Sequence, residues 1–270
     1  MKRTLNQVKL LQMNSCLKER NSMLTLSQIS KSYSKDQNVL MPTDLNVKKG
    51  EFVSIIGPSG CGKSTLLDII AGINKPTKGS VKYNGEDITN KTGLVGYMPQ
   101  SDVLFPWRTV LDNVILPLEI QGTGRDEALT QARGLFPKFG LAGFEEHYPF
   151  MLSGGMRQRA NFLRAYLNNK ELLLLDEPFG KLDAMTRLEL QKWFIQICEE
   201  TDQTVIFITH DMDEAIFLSD RIFILSPRPG CLIEEVNVEF TRPRKENLIT
   251  SSEFALLKRR LLDVLHLKQS

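Results

Sequence analysis

Gly57-Pro-Ser-Gly-Cys-Gly-Lys-Ser-Thr65 gathers glycines, hydroxyls and one lysine into a single short run. Glycine at 57, 60 and 62 leaves the backbone free to curl its N–H groups inward, which is how a loop holds polyphosphate oxygens. Lys63 can reach the β and γ phosphates and the Ser64 hydroxyl can ligate Mg2+; a helix opening here adds the partial positive charge of its N-terminus. A glycine-rich turn that merely joined a strand to a helix would not need Lys63 and Ser64 in those places. The run Gly57, Pro58, Ser59, Gly60, Cys61, Gly62, Lys63, Ser64 and Thr65 is therefore the candidate phosphate site. A second group, Asp176-Glu177, follows four leucines. Asp176, ending a buried strand, suits the Mg2+ shell, and Glu177 one residue further out can accept a proton from an attacking water, a role worth about 10²–10⁴-fold in rate. Two carboxylates could also simply end a strand at the surface, but a phosphate loop upstream favours the chemical reading.

These groups need a scaffold that alternates strands and helices. Glu51 to Ile56 reads as a strand, Lys63 to Ala71 as a helix, Glu171 to Leu175 as a strand, Thr186 to Glu200 as a helix and Thr204 to Thr209 as a strand, which is an α/β pattern. The runs at 171–175 and 204–209 are almost wholly apolar, as parallel strands buried on both faces should be. Between about 101 and 155 the pattern turns helical, broken by Pro106, Pro117, Pro137, Pro149 and several glycines, and reads as a helical insertion. Leu24 to Ser30 alternates like a strand. The polar stretch 1–22 before it lacks a signal-peptide core and reads as a disordered extension or a misassigned start, with Met23 the other candidate. After Ile233 come short strand-like alternations, the Arg242-Pro243-Arg244 turn, and Phe254, Leu257, Leu261 and Val264 or Leu265 at helical spacing. The last predict an amphipathic helix capped by Ser251 or Ser252, packed on the body rather than lying on a membrane.

With 270 residues the chain can hold one large domain, or a main domain with a sub-domain. Its 34 basic and 32 acidic residues nearly cancel, so nothing encodes a broad attraction to nucleic acid or anionic lipid. No apolar stretch approaches the roughly 18 residues of a spanning helix. Cys16, Cys61, Cys198 and Cys231 are scattered without CxxC spacing, against a zinc site or a disulfide framework and in keeping with a reducing cytosol.

Many phosphate-loop enzymes share the first two motifs; Leu152-Ser-Gly-Gly-Met-Arg-Gln-Arg159 narrows the class. It resembles the signature of ABC transporter ATPases, and the resemblance extends over roughly residues 24–235. Ser153, Gly154 and Gly155 at a helix start can form a second anion cradle, the alternative being a plain capped helix. The resemblance implies a P-loop NTPase fold with a RecA-like parallel-sheet core, an N-terminal antiparallel β part and the helical insertion. It divides the chain into the extension 1–22, an ATPase domain over 23–235 and a tail over 236–270. It implies that Tyr33 stacks on adenine, that Gln100 touches Mg2+ and the attacking water in a loop that meets a membrane subunit, and that His210 in Ile-Thr-His210-Asp-Met-Asp-Glu-Ala contacts the γ-phosphate. The resemblance also implies that Asp183 ends the loop by which one site senses the other and belongs to the nucleotide site.

Phe105-Pro-Trp-Arg-Thr-Val110, Tyr148-Pro149, Glu177-Pro-Phe-Gly180 and Ser226-Pro-Arg-Pro-Gly230 are similar to the ATPases of nitrate, sulfonate and taurine importers, a group whose relatives also carry pyrimidine precursors of thiamine. Lys181 departs from the small residue usual before Leu182-Asp183, Met98-Pro99 stands where an aromatic is commoner, and Asn161-Phe162 is unusual after the signature. The implied machine has two copies closing on two Mg·ATP, each nucleotide between Gly57–Thr65 of one copy and Ser153–Gly155 of the other. Its partners are a second copy, a transmembrane permease and, indirectly, an extracytoplasmic solute-binding protein, with no nucleic acid; its place is the cytoplasmic face of the membrane. Phe105, Pro106 and Trp107 are candidate permease contacts or a local aromatic core. A soluble ABC ATPase of translation or DNA repair is the rival class, but such chains usually carry two such domains or a long coiled-coil insertion and this sequence shows neither; a P-loop kinase would leave Ser153–Gly155 and His210 without a job.

Overall fold

A computed structural model describes residues 22–34, 37–168 and 170–267, so the expected extension lies outside the described residues except for Ser22. That residue already opens β1 (Ser22–Ser32), a strand longer at both ends than its alternation suggested. With β2 (Asn38–Lys48), β4 (Lys78–Tyr83) and β5 (Glu86–Asp87) it forms an antiparallel sheet in the order β2-β1-β4-β5.

The second sheet holds β3 (Phe52–Ile56), β6 (Gly96–Met98), β7 (Leu172–Asp176), β8 (Thr204–Ile208), β9 (Arg221–Leu225) and β10 (Leu232–Asn237), in the order β10-β9-β3-β8-β7-β6. All its pairings are parallel except β9 with β10. Successive side chains of a strand point to opposite faces, and here each face is covered. Leu172, Leu174, Ile206 and Ile208 join the core shared with the antiparallel sheet and helix α1 (Lys63–Ile70). Leu173, Leu175, Val205 and Phe207 join the core under the remaining helices. That two-sided burial is why the two runs read as continuous apolar strings.

The helical part contains α2 (Val110–Val114), α3 (Leu116–Ile120), α4 (Arg125–Leu135) and α5 (Gly154–Leu167), the last running well past the boundary drawn at 155. Its prolines punctuate rather than break: Pro117 sits in the first turn of α3, where its missing N–H costs nothing, and Pro149 opens a 3₁₀ turn. Asn113, fully buried, pins the 105–109 loop by accepting from Phe105 N (2.6 Å) and donating to Phe105 O (3.0 Å) and Thr109 O (2.9 Å). Asn161 and Phe162 are both buried on α5; Phe162 meets Phe194 edge-on at 4.6 Å.

Helix α6 (Ala184–Glu200) starts two residues before the expected Thr186, because the Asp183 carboxylate accepts from Thr186 N and caps it. Helix α7 (Met212–Leu218) follows β8, and α8 (Ser252–Leu267) closes the chain. Ser251 is the cap of α8, its hydroxyl accepting from Phe254 N at 3.2 Å. Phe254 and Leu261 are buried, with Leu257, Val264 and Leu265 against the same core, so the apolar face is turned inward as expected. The Arg242-Pro243-Arg244 turn binds this tail to α7: Arg244 donates to Ile216 O and Phe217 O at 3.0 Å, and Arg242 to Leu218 O at 2.8 Å. These are the carbonyls that a helix C-terminus leaves unpaired. Burial, with Arg242 as neighbour, pushes the Arg244 guanidinium down to about 10. Among the described residues no helix is long and apolar enough to cross a membrane.

Candidate nucleotide site

Parallel strands end on one edge, and ligands of open α/β sheets bind beyond that carboxyl edge. Four adjacent strands deliver the chemistry there. β3 runs into the Gly57 loop, β8 into Thr209-His210, β7 into Asp176-Glu177 and β6 into Pro99-Gln100. The register fixes their level: Asp176 lies beside Ile208, and Met98 beside Leu175.

The loop 57–62 then feeds α1. Gly62 stands at φ 110°, a left-handed conformation that a side chain resists, and hands the chain to Lys63 at the first turn. Lys63 is buried, its Nζ donating to Gly57 O at 2.8 Å and Pro58 O at 3.0 Å, so the ammonium lies over the cradle. Cys61 is fully buried, and burial pushes its thiol up. Gly230 braces the loop from behind: a Cβ there would stand 2.2 Å from Cys61 O.

Asp176 is buried, and desolvation raises its carboxyl above the ordinary value, while the Ser64 hydroxyl beside it works in the opposite sense. Its Oδ1 is buried with no hydrogen-bond partner. An orphaned carboxylate oxygen next to a hydroxyl at a phosphate loop is the donor set Mg2+ takes, a hard cation content with one or two protein ligands plus phosphate oxygens.

Glu177 sits at φ 46°, in a left-handed conformation, with its N–H on Ile208 O at 3.0 Å. Its Oε2 accepts from Gln100 Nε2 at 3.0 Å and lies 3.3 Å from His210 Nδ1. Two of the expected side chains thus converge on one carboxylate oxygen of a third. The cavity in front has about 360 Å3 and is lined by Tyr33, Gln37, Val39, Ser59, Gly60, Gly62, Lys63, Ser64, Thr65, Gln100, Glu177 and Arg228.

Tyr33 is 56% exposed at the mouth, its hydroxyl accepting from Asn74 Nδ2 at 2.7 Å and its ring 4.8 Å from Lys31 Nζ. Ser153, Gly154, Gly155 and Asp183 do not line this cavity. Ser153 and Asp183 are exposed and Gly154 half-buried, while Gly155 is buried. Ser153 caps α5 by accepting from Met156 N at 3.2 Å, and a Cβ at Gly155 would stand 2.9 Å from Thr186 Cγ2, so the signature helix packs closely on α6. Lys181 and Asp183 are exposed beside it.

Two cavity residues lie outside the motifs read for the site. Arg228 and Gln37 line the cavity, although Ser226–Gly230 had served only as a subfamily marker; its glycine against the phosphate loop was the available signal. Trp107 is 71% exposed and rests on the half-buried Phe105 at 5.2 Å, so of the two readings of this segment a closed aromatic core does not hold for Trp107.

A loop-to-helix phosphate cradle on the central strand, a carboxylate pair on its neighbour and a serine-capped, glycine-opened helix outside the cavity are the arrangement of a P-loop ATPase cassette. The ABC transporter family matches residues 40–180. The formylaminopyrimidine import ATP-binding protein of Halalkalibacterium halodurans is 44% identical over 80% of this chain and 84% of its own length. The aliphatic sulfonates import ATP-binding protein of Bacillus cereus is 40% identical over 88% of this chain and 94% of its own. Among solved structures, a dimeric ATP-binding cassette in a post-hydrolysis state bound to ADP and Pi superposes with a TM-score of 0.71 at 33% identity, covering 81% of this chain and all of that one. The chain belongs to the ABC transporter ATP-binding proteins and is an ATP hydrolase of that family.

Proposed function

We propose that two copies of this chain close around two ATP molecules and that the closure drives import of a small polar solute through a transmembrane permease. The observation that carries the reading is the meeting of Gln100 and His210 on Glu177 Oε2, beside the Lys63 loop and apart from Ser153–Gly155. A cradle that lies outside its own chain's cavity can serve a nucleotide held by another copy.

In this reading the N–H groups of Gly57 to Thr65 and the Lys63 ammonium bind the phosphates, Tyr33 covers the adenine, and Ser153 to Gly155 of the second copy grip the γ-phosphate. Ser64, Asp176 and Gln100 would hold Mg2+, which supplies charge neutralisation at the phosphates when bound. Glu177 takes the proton of the attacking water, while Gln100 and His210 fix where that carboxylate stands and contact the water and the γ-phosphate. Asp183 and its loop join the two sites. Loss of the γ-phosphate removes the bridge between copies and lets them part.

Exposed Trp107, the half-buried Phe105 beneath it and the loop after Gln100 supply the permease contact at the cytoplasmic face of the membrane, with an extracytoplasmic binding protein delivering solute. The solute class is a sulfonate, taurine, nitrate or similar; relatives named for sulfonate and for formylaminopyrimidine import keep a pyrimidine as the second reading. Copies carrying Ser59→Cys, mixed with copies carrying Ser153→Cys, should be joined by a short bismaleimide only with Mg2+ and ATP. Equal joining without nucleotide, or none with it, overturns the shared site. Uptake of labelled sulfonates, nitrate and pyrimidines in a deletion strain separates the solutes.

A further inference from the structure

A polar network with buried Glu214 at its centre and half-buried Arg187 and Asp211 on either side joins the loop ending at Asp183 to the segment that carries His210. Arg187, one turn into α6, donates Nη2 to Leu182 O at 3.0 Å. Its Nη1 reaches Asp211 Oδ2 at 3.5 Å, and its Nε lies 3.8 Å from Glu214 Oε1, buried and without a hydrogen-bond partner. Glu214 is 5% exposed on α7 and accepts from Gln191 Nε2 at 3.0 Å and from Thr209 Oγ1 at 2.5 Å. Thr209 Oγ1 accepts in turn from Asp211 N at 2.9 Å, and Asp211 Oδ1 caps α7 by accepting from Asp213 N at 2.8 Å.

Both neighbours of His210 are therefore anchored, whereas its own side chain is 63% exposed and is placed by them. One guanidinium touches the interface loop and both carboxylates of this anchor. Displacing the Leu182 carbonyl drags Arg187, and through Asp211 and Glu214 it drags the backbone on which the imidazole is mounted. Glu214 is shut off from water and would be left unpaired if Arg187 moved without it, so the two shift together.

We infer that Arg187, acting with Glu214, is a positioning residue for hydrolysis that ties the Gly180–Asp183 loop to His210, so that seating of the loop sets the place of the imidazole. The inference rests on the hydrolytic role proposed for His210.

In the full chain, Mg·ATP hydrolysis, KM and calorimetric ATP affinity are measured for Arg187→Met, His210→Ala and the double variant. Arg187→Met should lower kcat at least about tenfold while KM and affinity stay within about twofold, the pattern of an interaction used in the transition state. Added to His210→Ala it should lower kcat by no more than about threefold further, since both remove one placement, and Arg187→Lys should recover part of the rate. An unchanged kcat with a lowered melting temperature, or losses that multiply in the double variant, overturns the inference and leaves the hydrolytic reading intact. A His210→Ala chain hydrolysing at the parent rate overturns both. Should Arg187→Met fail to fold, Glu214→Gln, which keeps the shape and removes the charge, takes its place in the same cycle with the same expected outcomes.

Discussion

Replacing Glu177 by Gln isolates its proton-accepting role, because almost everything else at that position carries over. The side chain is 19% exposed, and its Oε2 serves Gln100 and His210; a glutamine amide can offer its oxygen to the same two donors. The backbone at φ 46° costs about 1–2 kcal/mol for either residue, so that strain cancels between parent and variant. Phosphate contacts come from the loop at 57–65, which the substitution does not touch. What disappears is the basic oxygen, and general-base assistance of about 10²–10⁴-fold corresponds to about 2.7–5.5 kcal/mol of barrier. Steady-state phosphate release at saturating Mg·ATP should fall by that factor, with ATP affinity by calorimetry within about twofold of the parent. A rate within about threefold of the parent would refute the assignment of Glu177 as base. A large loss of affinity would instead refute the claim that the carboxylate contributes little to binding.

Tyr33→Ala removes a half-exposed ring with little packing, so the melting temperature should hardly move. A base-stacking role worth about 1–3 kcal/mol requires the ATP KM to rise about 5- to 160-fold, and an unchanged KM removes Tyr33 from the site. Arg244→Met leaves buried carbonyls of Ile216, Phe217 and Phe240 without their donor; urea unfolding should show a loss of about 3–5 kcal/mol, and a loss below about 1 would mean that water replaces the guanidinium.

The legible parts of the fold were those set by short-range chemistry. Gly57 to Thr65 declares its conformation because glycine, lysine and serine at that spacing meet a need internal to the loop, and Leu172 to Leu175 declares a doubly covered strand because neither face is polar. Ends of elements were less legible where a cap decides them. Asp183 stops the preceding loop and starts α6 two residues early, a consequence of one side chain reaching Thr186 N that no apolar periodicity reports.

Other features were out of reach because they depend on strand order. Nothing in the string says that β8 lies between β3 and β7, yet that order is what sets His210 beside Glu177 and brings Gly230 against Cys61. Resemblance named His210 by its neighbours in sequence; the sheet explains why a residue so far along the chain ends on the same carboxylate oxygen as Gln100. The same topology holds Ser153–Gly155 away from the cavity, on a helix packed against α6 through Gly155. If Ser153–Gly155 is the second anion cradle proposed above, a chain that points it away from its own phosphate loop can use both on one triphosphate only by meeting a copy of itself. The separation seen within one chain is therefore the geometric reason that the proposed reaction requires two.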